Sequence, residues 1–280
     1  MMANASALGI YEKALPTHED WAVRLQCAAD AGYGFAELAI DEDEHRLARL
    51  RWTAQQRAQL RQAVASTGVP VRTLILSAHR RFPLGSANID TRRTALDLLE
   101  RAVDLAVDIG ARLVQLAGYF VYYEDHDAGS RQRFVDGLRD SLRHAAPAGV
   151  MLGLETMDGS DIVSVATAME IVREIDSPWL QVYPDLGNLA ANGIDLQRDL
   201  EAGRGHLVGV HLKDTRPGEY RRVPFGEGIV PFTDAFATLE RIGYDGPFVV
   251  EMWNDGEPDP MRTITLARQW LEQRMADARP

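Results

Sequence analysis

Eight short apolar runs punctuate the chain, beginning near Leu8, Phe35, Val71, Leu113, Met151, Gln181, Leu207 and Pro247. Several are rich in β-branched residues and all are short, so each predicts a buried strand. Longer segments of helical period lie between them. From Arg93 to Asp108, for example, Leu96, Leu99, Val103 and Val107 recur on one stripe and the charges on another. Strand and helix alternating eight times predict an α/β fold with a parallel sheet closed into a (β/α)8 TIM barrel. Gly32, Gly68, Gly110, Gly149 and Gly243 stand at or shortly before a strand, where the turn out of a helix favours positive φ. No linker, low-complexity tract, charge block or repeat divides the 280 residues, so residues 1–280 are read as a single domain.

Four consecutive runs in the second half end in a side chain able to ligate a metal: GLE at Glu155, YPD at Asp185, GVH at His211 and VVE at Glu251. The gaps of 30, 26 and 40 residues are each about one βα unit, so barrel closure brings the four ends together. Any one alone reads equally well as a strand-end polar group satisfied by water or a helix N-terminus; the recurrence points to a metal. Three carboxylates and an imidazole suit Mn2+, Mg2+ or Co2+, and the imidazole keeps Zn2+ open. A ketose chelated through its C2 carbonyl and C3 hydroxyl would have an acidified C3–H bond. Glu155 and Glu251 are then expected as an acid/base pair that inverts C3 through a metal-stabilised enediolate.

The formal charge of −11 and pI near 5.1 argue against a nucleic-acid partner, which would need a basic stripe. Local basic groups therefore carry local expectations. His79-Arg80-Arg81 follows the third strand on the rim where barrels keep their chemistry; His79, Arg80 and Arg81 are candidate substrate or phosphate contacts, or else a hydrogen-bonded structural histidine beside a solvated arginine pair. Lys213 lies two residues beyond His211 on the same strand face, to hold phosphate or stabilise the enediolate, or to pair with Asp214 or Glu227. Glu12 and Glu37 stand near the ends of the first two strands, where they meet substrate hydroxyls or a neighbouring cation, and Asn188, three residues past Asp185, is placed to hydrogen-bond a sugar hydroxyl or else serves as a turn residue. Glu227 sits in Gly226-Glu227-Gly228, a tight loop or anion nest after the seventh strand. Trp253 and Tyr119 read as packing residues, as does Cys27, the sole cysteine, in a helical stretch from Glu19 to Ala31. The start, MMANASALGI, lacks a basic flank and a long apolar core, and no segment reaches 18 apolar residues, so a cytoplasmic protein without membrane contact is expected.

LGIYEKALP at Leu8–Pro16, LSAHRRFPLGS at Leu76–Ser86, LAGYFVYYE at Leu116–Glu124, YPDLGNL at Tyr183–Leu189, HLKDTRPGE at His211–Glu219, VPFGEG at Val223–Gly228 and VVEMW at Val249–Trp253 together resemble the bacterial L-ribulose-5-phosphate 3-epimerases, also called L-xylulose-5-phosphate 3-epimerases. These belong to the xylose-isomerase-like barrels. The resemblance runs along nearly the whole chain. It implies that Glu155, Asp185, His211 and Glu251 match the family's metal ligands, with Glu155 and Glu251 as acid/base pair. It also implies a ketopentose 5-phosphate substrate, in bacteria that use L-ascorbate or related pentoses, and a dimer or larger homo-oligomer. One departure concerns ETMDGSDIVSV, where Val163 precedes Ser164 in place of the family's usual Asn-Ser pair; it leaves the preferred sugar open. The alternatives are an aldose–ketose isomerase or a 3-epimerase of free ketoses on this scaffold, an endonuclease-IV-like phosphodiesterase, disfavoured by the single ligating histidine and the acidic charge, and a silent sugar-phosphate sensor, disfavoured because all four ligands are present.

Overall fold

The computed structural model describes residues 8–18, 20–254 and 256–279. Its strands are β1 (Leu8–Tyr11), β2 (Phe35–Ile40), β3 (Val71–Leu76), β4 (Leu113–Ala117), β5 (Met151–Glu155), β6 (Leu180–Tyr183), β7 (Val210–Leu212), β8 (Asp214–Arg216), β9 (Glu219–Val223) and β10 (Phe248–Val250). All but β8 and β9 form one parallel sheet in the order β6-β5-β4-β3-β2-β1-β10-β7. Isolated bridges Val182–Leu207 and Asp185–His211 join its two edges, so the eight strands close into the expected single-domain (β/α)8 barrel. Each expected strand begins within three residues of its predicted start.

The helices are α1 (Trp21–Asp30), α2 (Glu44–Leu47), α3 (Ala54–Thr67), α4 (Ile89–Ile109), α5 (Ser130–Ala145), α6 (Val165–Ile175), α7 (Leu186–Ala191), α8 (Leu196–Ala202), α9 (Phe232–Arg241) and α10 (Pro260–Asp277). Local chemistry sets their ends: Asp20, Asp43, Thr53, Asn88, Ser164, Asp185, Asp195 and Asp259 each cap a helix N-terminus through a side-chain oxygen. The five glycines picked out before strands all have positive φ. The α4 stripe needs correcting. Leu99 and Val103 are buried as expected, but Val107 is 39% exposed and Leu96 only half-buried, while Leu98, Ala102, Leu105 and Ala106 are buried instead. Wedged between α3, α5 and the barrel, α4 buries a broad face that includes alanines. Cys27 is half-buried against the core, and Glu19, where its helical stretch was expected to begin, lies outside the described residues. Among the described residues no helix is long and apolar enough to cross a membrane.

Side chains alternate along each barrel strand, and the two faces differ. Outward residues such as Ile10, Leu38, Leu74, Leu154 and Val250 join the large core under the helices. Inside, Tyr11, Phe35, Ala39, Ile75 and Val249 form a smaller cluster, and its large rings need missing side chains opposite. A Cβ on Gly9 would lie 2.2 Å from the Phe35 ring, and one on Gly209 would lie 2.3 Å from the ring of Tyr183. Gly9→Ala should therefore lower stability by about 1–3 kcal/mol through overpacking. Urea unfolding checks this, and an unchanged midpoint would mean that the Phe35 ring yields freely.

Candidate active site

The barrel order places β5, β6, β7 and β10 on one arc, and the four expected ligands stand at their C-terminal ends. Glu155 and Glu251 are the outer two, Asp185 and His211 the inner. All four are buried, and one ligand atom from each lies within 4.8 Å of all the others. Asp185 caps α7, its Oδ1 accepting from Asn188 N at 2.8 Å, which leaves Oδ2 facing the cluster. His211 sits between carboxylates, Nδ1 2.8 Å from Glu155 Oε1 and Nε2 2.8 Å from Glu37 Oε2. Glu155 is steadied from the other side by the Gln115 amide. The Lys213 ammonium completes the group, 2.9 Å from both Asp185 Oδ2 and Glu251 Oε2.

Burial and charge pull these groups apart in acidity. Burial pushes the Asp185 carboxyl up to about 7 and raises Glu155 as well. Burial acts on Glu251 too, but Lys213 and His211 outweigh it and hold that carboxyl down to about 2. His211 is raised well above an ordinary imidazole: burial opposes its charge, and Glu37 and Glu155 more than compensate. The donor set fits a divalent cation of the hard or borderline kind, since Asp185 Oδ2 is buried without an aligned hydrogen-bond donor and three carboxylates converge on one point.

A small cavity of about 40 Å3 opens beside the cluster. Glu155, Glu251, Lys213 and Asn188 line its floor; Arg80, Tyr220 and Arg221 are among its walls. Residues 25–274 match the family described as xylose isomerase-like TIM barrel. The chain belongs to that family. This xylose isomerase-like barrel is 46% identical over 278 residues to the L-ribulose-5-phosphate 3-epimerase UlaE of Escherichia coli (strain K12 / DH10B), covering 99% of this chain and 98% of the relative. It is thereby an enzyme of the carbohydrate 3-epimerase kind. Two solved structures share the fold. One is the apo form of 3-keto-D-glucoside 4-epimerase, YcjR, from E. coli, with TM-score 0.78, 22% identity, and 95% of this chain and 99% of that one covered. The other is D-psicose 3-epimerase with D-tagatose from Clostridium cellulolyticum H10, with TM-score 0.80, 17% identity, and 96% and 99% covered.

The remaining expected contacts of this xylose isomerase-like barrel divide sharply. Lys213 and Asn188 reach the cavity, and Asn188 is anchored by its amide to Thr156 O at 2.9 Å with Oδ1 left unpaired. Lys213 pairs with neither Asp214 nor Glu227. Four others do not reach the cluster. Glu12 is buried away from it, accepting from Ala39 N at 2.8 Å and paired with Arg24 and Arg49, which hold its carboxyl below the usual range despite burial. Arg81 turns outward to Glu44 at 2.8 Å, and Glu227 pairs at the surface with Arg216 at 2.9 Å. His79 is buried under α4 with Nε2 3.1 Å from the Ala95 carbonyl oxygen, so it is spent on the fold. Glu37 does not line the cavity either; it lies beneath His211. The Gly226-Glu227-Gly228 nest is real but already filled: Asp214 Oδ2 accepts from Gly226 N at 2.9 Å and Gly228 N at 3.0 Å.

Of the arginine pair after the third strand, Arg80, not Arg81, points inward, with its guanidinium 5.6 Å from the Tyr119 ring and 5.4 Å from that of Tyr122. Sequence reasoning missed other residues that the structure puts at the cavity. Lys13 lines the wall while paired with Asp41. Trp253, read as packing, meets Tyr11 edge-on at 6.2 Å and also faces the cavity. The β8–β9 hairpin, which brings Tyr220 and Arg221, was not anticipated, although Pro217-Gly218 between β-prone residues is a turn signal.

His79 gives a test of its structural role. Burial pushes its imidazole down to about 4 from 6.5, so below pH 6.5 the unfolded chain takes up a proton that the folded chain refuses. Stability should fall as the pH drops through that window, by about 2 kcal/mol from this group between pH 7 and pH 5. His79→Gln, which can still donate to the Ala95 carbonyl, should remove that share. Equal pH slopes for the two proteins in urea unfolding would mean the ring titrates normally in the native state.

Proposed function

We propose that the chain interconverts L-xylulose 5-phosphate and L-ribulose 5-phosphate by epimerisation at C3, with a divalent metal held by Glu155, Asp185, His211 and Glu251. The observation that carries the reading is the position of Glu155 and Glu251 at the two ends of the ligand arc, flanking whatever sits between them. The kinship with the E. coli enzyme supports the substrate. A bound divalent ion would polarise the ketose C2 carbonyl and lower the cost of breaking the C3–H bond.

The chain's own residues supply the rest. One glutamate accepts the C3 proton from its side of the sugar, and the other donates a proton to C3 from the opposite side, so the configuration inverts with no net change in atoms. The reverse reaction exchanges their roles. Asn188 Oδ1, buried and unpaired, is available to a sugar hydroxyl, and the Lys213 ammonium lies where negative charge develops. Arg80, Arg221 and Lys13 give the cavity a cationic wall for the phosphate end. The net charge of −11 and the single histidine in the cluster leave little support for a phosphodiesterase of nucleic acid.

Turnover in D2O should place deuterium at C3 of both ketose phosphates. Exchange at C1 in its place would make the chain an aldose–ketose isomerase. Glu155→Gln and Glu251→Gln, once verified to retain metal, should each abolish net epimerisation while still exchanging C3 of one epimer, a different one for each variant. Deuterium entering the same epimer in both variants would sink the two-base assignment. Chelation should abolish turnover and Mn2+ or Co2+ restore it; a stripped preparation that keeps full activity would remove the metal from the mechanism.

A further inference from the structure

Glu37 is fully buried, ionisable and outside both the ligand set and the cavity wall. A carboxylate inside a barrel is costly unless every lone pair is used, and its partners are unusual in their division. Thr73 Oγ1 donates to Oε1 at 2.8 Å and the Tyr183 hydroxyl donates to the same oxygen at 3.1 Å. Oε2 is left to His211 Nε2, at 2.8 Å. The Tyr183 ring also meets the His211 ring edge-on, centroids 4.8 Å apart, so one tyrosine steadies both members of the pair.

We propose that Glu37 is a positioning residue for the metal site: it accepts the Nε2–H of His211 and thereby fixes the tautomer whose Nδ1 lone pair is presented to the ion. The inference rests on the reading of the four residues as a metal centre. A neutral imidazole carries its proton on one nitrogen only, and the opposite tautomer would set the Nε2 lone pair against a carboxylate oxygen with no proton between them. Nδ1 faces the right way, 2.8 Å from Glu155 Oε1 and 3.8 Å from Asp185 Oδ2, inside the converging set. Thr73 and Tyr183, by occupying Oε1, keep the Glu37 carboxylate from rotating out of this contact. The carboxylate also makes the ring a stronger donor to a cation, as partners behind ligating histidines generally do.

The test compares metal affinity, not turnover alone. Wild type and Glu37→Gln are titrated calorimetrically with Mn2+, and the imidazole nitrogens of His211 are assigned by 15N NMR in the Zn2+-loaded protein. The wild type should show an Nε2–H ring with Nδ1 on the metal. Glu37→Gln should bind Mn2+ about 10–100-fold more weakly and no longer hold the His211 ring in a single Nε2–H form in the 15N spectrum, a change that a general loss of packing would not give. Wild-type affinity in the variant, or an Nδ1–H ring in the loaded wild type, overturns the proposal. Should the variant not fold, the ring assignment in the wild type decides alone. A wild type that takes up no ion fails one step earlier, at the metal reading, and is recognised before any variant is compared.

Discussion

Charge buried inside the barrel is the constraint around which the rest is arranged. Glu37, Glu155, Asp185 and Glu251 are all withdrawn from water, and an isolated carboxylate in such a place would be strongly disfavoured. They are tolerated because His211 and Lys213 are threaded between them. Access for Lys213 has a steric condition of its own: a Cβ at Gly187 would lie 2.5 Å from its Cγ, so only a glycine lets the stem pass α7 and deliver the ammonium. The whole set behaves as one electrostatic unit, in which removing a single member leaves a neighbour uncompensated.

The same residues stand at the closure of the fold. The edges of the sheet meet between β6 and β7, where pairing is reduced to isolated bridges, and one of those bridges is between Asp185 and His211 themselves, with His211 N donating to Pro184 O at 2.9 Å. An ion gripping β5, β6, β7 and β10 would span that weak join. Because only the closed barrel brings the four ends together, any affinity for the ion would add to the stability of the closed form.

The fold and the convergence of Glu155, Asp185, His211 and Glu251 were legible in the sequence for a shared reason. Strand periodicity and a ligand at the last strand position are both local, and barrel closure converts the local regularity into proximity. What failed to read was direction. After β3 the chain enters a 3-10 turn over Ser77–Arg80, and adjacent residues there diverge: His79 goes under α4, Arg80 into the cavity and Arg81 to solvent. Glu12 was lost to two arginines, Arg24 and Arg49, that approach from α1 and from the turn after α2, pairings that no spacing along β1 reveals. Glu37 was expected near the end of the second strand but is the third of six residues in β2; whether an inward residue meets ligand or lies a layer below depends on stagger between strands, and β2 carries a register shift at Ala36/Glu37.

Asp214 and the Gly226–Gly228 loop carry a further meaning. Barrels of this architecture commonly seat an anion on backbone N–H groups after the seventh and eighth strands; here a carboxylate from the chain itself occupies that seat, accepting from Gly226, Gly228 and Val230. On the proposed reading, a visiting phosphate would find those donors already engaged by a carboxylate and would turn toward cations elsewhere on the rim, so variation in that part of the substrate would be recorded there and not in the glycine loop.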